Sequence, residues 1–443
     1  MTGTAAEPVG LRAGGCGPVL ATSGAEPRDH PRRTPIRARM RNGFGVIGLC
    51  AALAAPVAGA AQQRVTLREA EAAALANGSR VRIAAADEAV ARADVLTARA
   101  FPNPTVAADY SKSAPQYHLT ADQPLEFPWL RRARIGAARA GALGARYRLE
   151  IERAAVRFAV DSAYVQAAAL RELFGLSART EREGAELVRV ARTRQEAGDA
   201  SELDVELALV SQGGLQAAAL ADSLAAVAAL LDLQALMGIP SAHPTIVLAD
   251  SLASLPALAP PAVDGAALPL RTAAAQADVQ ARTASIAVER ANRWAAPSVT
   301  AGVEWHDPTG GEPGYLPTFG IAIPLPLWDR NRGPIAAAEA GLRRAEAELE
   351  AARREGAAAL AAAERSRAAA AVSVERGRAL LAHAERVVAL STQGYREGAF
   401  PITTVIDARR AARDVLRQYV QDLAALRAAE SAAALARIVG GAP

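Results

Sequence analysis

Cysteine is nearly absent from this chain of 443 residues, which contains only Cys16 and Cys50. Both precede the point near Ala61 where a leader segment is predicted to end, so we expect no disulfide and no thiol chemistry in the mature protein. Aromatic residues make up only 4% of the sequence. Because few large side chains are available to fill a thick core, the alanine-rich segments favour helices that pack closely side by side.

Patterns typical of enzymes and of nucleic-acid-binding proteins are also lacking. The net charge is only +4, and seven arginines lie in the first 42 residues, so no nucleic-acid surface is predicted. The sequence contains no nucleophile elbow, phosphate-binding loop, pair of catalytic acids or Cys/His cluster. The spacing of His118, His306, Asp122 and Glu304 matches no metal-ligand motif. We therefore predict no enzymatic activity, no cofactor and no metal site.

A secretory signal is predicted before residue 61. Residues 37–42 are basic, residues 43–55 are apolar, and residues 58–60 are the small residues expected at a cleavage site. The segment before Met40 lacks periodicity, which indicates that Met40 is the true first residue; a long basic leader is the alternative. No other apolar run approaches the roughly 20 residues of a membrane-spanning helix, so any membrane-embedded part must consist of strands.

A duplication organises the rest of the chain. Residues 318–335 read TFGIAIPLPLWDRNRGPI, and residues 123–135, which read QPLEFPWLRRARI, share four residues with the segment 200 positions later. Residues 196–205 (EAGDASELDV) and 396–405 (REGAFPITTV) form a second pair at the same offset. A period of about 200 residues is too long for a solenoid repeat, so we predict two tandem copies of one large unit.

The pattern of prolines, glycines and apolar residues gives the predicted organisation. We predict an upstream extension with a signal peptide at 1–60, a first repeat at 61–237, a connector at 238–262 and a second repeat at 263–440. Each repeat contains a β-hairpin, at 104–126 and at 298–327, and the first begins with a helix pair at 65–99. A short strand is predicted at 245–248.

Long helices are predicted to follow each hairpin. Residues 131–195 contain no proline and would form a helix roughly 95 Å long, which is longer than a globular domain holds. The return helix after Gly198 has aliphatic residues at alternating spacings of three and four, which predicts a coiled-coil seam. The predicted seam residues are Leu203, Leu207, Val210, Leu220, Leu224, Val227 and Leu231.

The four predicted strands each have one apolar face and one polar face. In an exported protein this pattern suits a membrane barrel with lipid outside and water inside. Four strands cannot close a barrel and open strand edges are excluded in lipid, so several chains must share one barrel. Three chains, giving twelve strands, are the smallest symmetric number that leaves a pore.

The chain over residues 65–439 resembles the TolC-type outer-membrane efflux proteins in its duplicated order of helix, hairpin, long helix and return helix. The motifs at 324–333 and 123–126 are similar to those of the CzcC-like, cobalt-zinc-cadmium branch. The resemblance implies a mainly α, tandem-duplicated fold that trimerises into a 12-stranded β-barrel in the outer membrane and a long α-helical barrel in the periplasm. It also implies a periplasmic adaptor (membrane fusion) protein and an inner-membrane RND-type, proton-driven pump as partners.

The expected function is therefore an exit duct for divalent heavy-metal cations. Two alternatives remain open at this point. The same duct could carry drugs, other organic compounds or secreted polypeptides. The chain could also be a periplasmic coiled-coil adaptor without a pore, which would explain the helices but not the four amphipathic strands.

In the resembled family, acidic residues just after the two helix–helix turns ring the periplasmic aperture. The matching positions are Asp204 and Thr404, and Asp407 matches a further acidic position; Glu202 is included in the predicted aperture. A threefold ring of carboxylates would attract cations. Residues 201–204 are also a helix-start pattern, which gives Asp204 a capping role as an equal alternative. Thr404 lacks the acid expected at its position.

Two further sets of functional residues are predicted. Gly198 and Gly398 should end their helices with positive φ and, together with Pro401, form the tip where an adaptor would dock. Aromatic residues near the strand ends should form a girdle at the membrane interface. The predicted girdle residues are Tyr117, Trp305 and Phe319.

Overall fold

The structure, a computed structural model, describes residues 63–255, 268–294, 296–311 and 314–440. The predicted signal sequence and the last seven residues of the predicted connector, 256–262, lie outside these residues. The elements along the chain are β1 Gln63–Val65, α1 Leu67–Asn77, α2 Ser79–Arg99, β2 Thr105–Tyr110, β3 Tyr117–Pro124, α3 Pro128–Glu196, α4 Glu202–Leu236, β4 Ile246–Leu248, α5 Leu270–Ala291, β5 Ser298–Trp305, β6 Tyr315–Ala322, α6 Arg332–Arg396 and α7 Ile402–Val439. The order helix, β-hairpin, long helix and return helix thus occurs twice.

The two long helices begin at prolines and run without interruption. α3 has 69 residues and α6 has 65, so each is about 100 Å long. Pro128 opens α3, and Pro334 lies in the first turn of α6, where a missing backbone N–H is tolerated. Asn331 precedes α6 with a left-handed backbone, and its side-chain amide donates to the backbone carbonyl of Glu289 at 2.7 Å. This bond ties the start of α6 to α5.

The two β-hairpins form one antiparallel sheet with the strand order β2-β3-β5-β6. The second strand of the first hairpin pairs with the first strand of the second hairpin, in the register Tyr117 with Trp305 and Pro124 with Ser298. Side chains alternate across the sheet, so one face is apolar and the other carries polar residues such as His118 and Thr300. β2 and β6 are the outer strands, and each has one edge without a partner in this sheet.

A parallel pair, β1 and β4, brings the start of the described chain next to the connector. The helix pair predicted from residue 65 is wrong at its start, because Val65 lies in β1 and the first helix begins at Leu67. The fully buried Tyr164 of α3 contacts this segment: its hydroxyl oxygen lies 2.9 Å from the carbonyl of Val65 and 3.1 Å from the Asp250 carboxylate, and its single hydrogen can be donated to either acceptor. The strand predicted at 245–248 is confirmed.

The coiled-coil seam predicted for α4 is wrong within the chain. Four of its residues, Leu203, Val210, Leu220 and Leu224, are between 62% and 74% exposed. The buried apolar residues of α4 are mainly small, and Asp222 and Gln234 are buried with them. These apolar residues are Val205, Ala208, Ala219, Ala226, Ala229 and Leu233. Small side chains let α3 approach closely, so α4 turns its alanines towards α3 and its larger aliphatic residues outward.

By length and composition, α4 is also the one helix among the described residues that could cross a membrane, with 22% of its most apolar window buried. The sequence analysis did not anticipate this, because alanine makes the helix apolar without producing an uninterrupted run of large residues. In the structure α4 lies along α3, the helix to which the turn at Gly198 connects it.

Candidate functional site: the hairpin tips and the sheet

The turns that join the long and return helices have the same backbone in both repeats. Gly198 has φ +80° and Gly398 has φ +76°, the left-handed conformation expected from the sequence. In the first turn the backbone N–H of Asp199 donates to the carbonyl of Arg194, and in the second turn Ala399 donates to Gly394, both at 2.8 Å. These bonds satisfy carbonyls at the helix ends that would otherwise lack partners.

Asp204 has the capping role that the sequence offered as one of two alternatives. The Ser201 hydroxyl accepts from the backbone N–H of Asp204 at 3.2 Å, and the Asp204 carboxylate accepts from the backbone N–H of Ser201 at 3.1 Å. Glu202 is exposed beside it. A carboxylate that caps a helix start can also face an opening, so this role is compatible with a place in an aperture, which stays a prediction.

The second tip begins its return helix differently. Pro401 is the residue before α7 and provides no side-chain cap. Thr404 and Asp407 are exposed on the first two turns of the helix. Phe400 folds back over Gly394, whose lack of a side chain provides the space for the ring. The docking role predicted for Pro401 and the two turn glycines stays a prediction.

A small core joins the two tips to each other. Its centre is Tyr395, which is only 3% exposed and packs with Ile402, Val405 and residues of α3 and α4. The Arg194 guanidinium lies 4.7 Å from the centre of the Tyr395 ring and donates to the Tyr395 backbone carbonyl. Burial raises the pKa of the Tyr395 hydroxyl, while the charge of Arg194 lowers it and the charge of Asp204 raises it.

Next to this core, the helical hairpins α3–α4 and α6–α7 enclose a cavity of about 1600 Å³. The lining includes Asp407 but not Asp204. On its wall, Arg417 of α7 donates two hydrogen bonds to the Asp222 carboxylate of α4, at 2.7 and 2.9 Å. The Ser177 hydroxyl of α3 donates to the same carboxylate. Further down, Arg409 of α7 donates to the backbone carbonyl of Glu183 at 2.7 Å.

Hydrogen bonding and burial shift the pKa values of the charged residues on this wall. The hydrogen bonds from Arg417, and secondarily from Ser177, hold the pKa of Asp222 below its usual range despite burial. The hydrogen bonds to Asp222 in turn raise the pKa of Arg417, whereas burial lowers the pKa of Arg409. Sequence reasoning missed these residues. Arginines present in one repeat and absent from the other were the signal that could have found them.

In the sheet, four aromatic residues form one row across the strands. Tyr110 pairs with Tyr117, Tyr117 with Trp305, and Trp305 with Tyr315, and the ring centres are 5.4, 5.6 and 6.3 Å apart. The structure thus brings together two of the three predicted girdle residues. Phe319 lies on the same face but four residues along β6, where it pairs with Ala301. The membrane role of the row stays a prediction.

The opposite face of the sheet carries titratable residues. The His118 ring nitrogen Nδ1 lies 3.4 Å from the Glu304 carboxylate, and the Thr300 hydroxyl donates to Asp122 at 2.8 Å. Within the described ranges of the chain, no group of three or more His, Cys, Asp or Glu residues is arranged to hold a metal ion. These contacts are ordinary cross-strand pairs.

Comparison with known proteins shows the family. The model of the family described as "Outer membrane efflux protein" matches residues 271–441. The nickel-cobalt-cadmium resistance protein NccC of Alcaligenes xylosoxydans xylosoxydans is 32% identical over 354 residues, which are 75% of this chain and 78% of NccC. The cobalt-zinc-cadmium resistance protein CzcC of Cupriavidus metallidurans is 27% identical over 349 residues, 76% of this chain and 81% of CzcC.

Solved structures share the fold. A crystal structure of CusC has a TM-score of 0.67 and 19% identity, covering 85% of this chain and 92% of CusC. The outer membrane protein VceC of Vibrio cholerae has a TM-score of 0.66 and 18% identity, covering 85% of this chain and 96% of VceC. The predicted TolC-like fold and outer-membrane location are therefore confirmed. This chain belongs to the outer membrane efflux protein family.

Proposed function

We propose that the chain is the outer-membrane exit duct of a tripartite efflux system that exports divalent heavy-metal cations. The observation that carries this proposal is the 32% identity to a nickel-cobalt-cadmium resistance protein over 78% of that protein. The energy comes from an inner-membrane RND-type pump, and a periplasmic adaptor connects the two. The chain itself performs no catalysis and provides a path.

The contact between the two repeats supports a ring of three chains. Inside the chain, β3 of the first repeat pairs with β5 of the second, and α3 packs against α7. Applying the same relation once more places β6 against β2 of the next chain and α6 against its α4. Three chains then close a ring of six repeats and a barrel of twelve strands, which leaves no open strand edge in lipid.

The exposed aliphatic residues fit this arrangement. Leu187 of α3 is 6% exposed, whereas Val387, which is 200 positions later on α6, is 50% exposed. A second copy of the chain would cover Val387, as the tip core with residues of α4, α6 and α7 covers Leu187. The exposed aliphatic residues Leu220 and Leu224 of α4 lie on the helix that would cover it. Apolar patches of this kind indicate an interface rather than a solvated surface.

The tips would form the periplasmic aperture. With three chains, Asp204 and Asp407 each provide a ring of carboxylates, with Glu202 and Thr404 on the adjoining turns. Such rings select cations by concentrating negative potential in a narrow opening. The adaptor would contact the tip residues Gly198, Gly398 and Pro401. Family membership gives no support to the alternative of an adaptor without a pore.

Conductance tests the duct. Purified trimers in planar bilayers should conduct, and the double variant Asp204→Asn/Asp407→Asn should conduct more and be less selective for cations. Asparagine keeps an acceptor for the Ser201 N–H, so the variant removes charge without removing the cap. Asp199→Asn, at an exposed position of the same tip, is the control and should leave the selectivity unchanged. Absence of conductance in all three proteins would refute the duct.

Cells test the cargo. Deletion of the chain should make its host sensitive to nickel, cobalt, zinc or cadmium salts, and re-expression should restore growth. The control is sensitivity to dyes and detergents, which should not change. Sensitivity to organic compounds alone would refute the metal cargo and leave the duct in place.

A further inference from the structure

Three of the four tryptophans of the chain lie where the sheet meets the helices. Trp294 precedes β5, Trp129 lies in the first turn of α3 and Trp328 precedes α6, and these residues are 55%, 55% and 92% exposed. The Trp129 ring stacks on Phe127 with the ring centres 4.5 Å apart, so it is held in place although it is exposed. Because tryptophan is enriched at membrane–water interfaces, this level of the molecule has the composition of an interface.

This level is the edge of the apolar face of the sheet on the side of the helices. The register sets Pro124 beside Ser298 and Ser298 beside Ala322, so these strand ends are aligned. The aromatic row lies seven residues away along each strand, which is about 23 Å, or about 18 Å along the axis of a barrel whose strands tilt by about 40°. Beyond β6, exposed apolar residues continue along 323–328 and extend this face towards the roughly 25 Å of an outer-membrane barrel.

Three arginines beside the exposed tryptophans have no acceptor. Arg132 lies one turn after Trp129 on α3, and Arg330 and Arg332 follow Trp328. All three are exposed, and among the residues that the structure describes their guanidinium groups form no hydrogen bond and no ion pair. Arg132 and Arg332 are 200 positions apart, so both repeats have an arginine at this place. These three residues are called the arginine collar below.

The neighbouring acids do not bind the arginine collar. The Glu126 carboxylate pairs with Arg134 at 2.7 Å, and the Asp329 carboxylate accepts from the backbone N–H of Asn331 at 2.9 Å. Because the positive end of a helix disfavours cations, the stability of α3 and α6 does not account for arginines near their starts. The four strands of the sheet contain no arginine or lysine. Positive charge is therefore kept out of the apolar face and is concentrated at its edge next to the helices.

We propose that the arginine collar binds the headgroups of anionic phospholipids in the periplasmic leaflet of the outer membrane. This inference rests on the trimeric barrel proposed above. Guanidinium groups donate pairs of hydrogen bonds to phosphate oxygens, so these headgroups provide the acceptors that the collar lacks. The exposed tryptophans and the apolar segment 323–328 contact the acyl chains of the same lipids. A free phosphate ion would use the arginines but not this apolar surface.

Fluorescence quenching in vesicles of defined composition tests the proposal. The protein carries Trp305→Phe, so that the tryptophans next to the arginine collar are the reporters. It is reconstituted into mixtures of phosphatidylglycerol and phosphatidylcholine in which one of the two lipids has brominated acyl chains, which quench tryptophan on contact. Comparison of the two labelling schemes gives the binding constant of the anionic lipid relative to the zwitterionic lipid.

We expect a relative binding constant of about five in favour of phosphatidylglycerol, because one arginine near an anionic surface contributes about 1 kcal/mol. Added salt should reduce this preference. Arg132→Gln/Arg330→Gln/Arg332→Gln should remove it, and the corresponding triple glutamate variant should invert it. The triple lysine variant should retain most of the preference, because lysine keeps the charge.

The matched control is Arg192→Gln/Arg376→Gln/Arg386→Gln. These arginines are exposed and unpaired in the described part of the chain and lie at least about 65 Å further along the helices, so the preference should not change. Equal quenching by the two lipids in the Trp305→Phe protein, or a preference that survives in the triple glutamine variant of the collar, overturns the inference and leaves the duct standing. Loss of the preference in the lysine variant as well as in the glutamine variant also overturns it, because the arginines would then act on the structure and not through their charge. Absence of quenching by either lipid would contradict the barrel itself.

Discussion

The two hairpin tips have the same backbone and different side-chain chemistry. Both turns contain a left-handed glycine and the same hydrogen bonds 200 positions apart. Arg194, Ser201 and Asp204 lie around the first glycine and form hydrogen bonds with their side chains. Phe400 and Pro401 lie around the second and act through packing. The duplication has therefore kept what the turn requires and changed what faces the neighbouring repeat.

The largest expected effect on stability comes from a buried acid that occurs in the first repeat and not at the equivalent position of the second. Asp161 of α3 is 2% exposed, and its equivalent on α6 is Ala361. Burial, together with the hydrogen bond and charge of Glu71, raises the pKa of Asp161 to about 8. Between the unfolded pKa near 4 and this value, the folded protein holds a proton that the unfolded chain has lost. Stability should therefore fall as pH rises through this window, by at most about 1.4 kcal/mol per pH unit.

Guanidinium unfolding in detergent from about pH 5 to about pH 8 measures this slope. Asp161→Asn should flatten it. The pKa of Asp222 is shifted in the opposite direction, because Arg417 lowers it. The stabilisation is therefore present above the unfolded pKa and is lost as pH falls through the folded pKa. Asp222→Asn should therefore change the pH dependence of the unfolding free energy only at acidic pH. A slope unchanged in Asp161→Asn would show that the acid is ionised in the folded protein.

The hydrogen bonds from Arg417 to Asp222 should contribute more to stability than the hydrogen bond of the equivalent acid in the second repeat, Asp422. Asp222→Ala leaves Arg417 and Ser177 without their shared acceptor, so we expect a loss of about 2 kcal/mol. Asp422→Ala removes a hydrogen bond on the exposed side of one helix and should stay within about 0.5 kcal/mol. Thermal midpoints in the same detergent at equal protein concentration compare the two variants. Equal losses would contradict a stabilising role of the contact between Asp222 and Arg417.

Local patterns explain what could be predicted from the sequence. The four strands follow from alternation, and the positive φ of Gly198 and the cap at Asp204 follow from residues within a few positions of one another. The aliphatic stripe of α4 was detected, but periodicity does not tell which partner covers it, and the alanines of the other face pack on α3.

Contacts between distant segments could not be predicted. Arg409 and Glu183 are 226 positions apart, and Arg417 and Asp222 are 195 apart, so no spacing within one helix indicates them. The pairing of β1 with β4 is of the same kind. The aromatic row was predicted only in part, because the register that places Tyr315 beside Trp305 depends on the turn between β5 and β6.

The turn glycines should show that the two tips share a backbone. Gly198→Ala and Gly398→Ala each force an alanine into the left-handed region, which costs about 1 to 2 kcal/mol. A side-chain carbon at Gly198 would meet no atom within 4 Å, and at Gly398 it would lie 3.6 Å from Arg194, an ordinary contact. The losses in thermal midpoint should therefore be equal. A much larger loss at one glycine would mean that its surroundings, not its backbone, set the cost.

The smallest effect concerns the residues that follow the turns. Asp204→Ala removes the carboxylate from the capping box and should lower the stability by about 1 kcal/mol, whereas Thr404→Ala, 200 positions later, removes no cap and should stay within about 0.5 kcal/mol. Thermal midpoints measure both. Asp204→Asn separates the two roles of the acid, because it keeps an acceptor for Ser201 but removes the charge. If Asp204→Asn retains stability and loses cation selectivity, the same carboxylate caps the helix and lines the aperture; if it loses stability alone, Asp204 only caps.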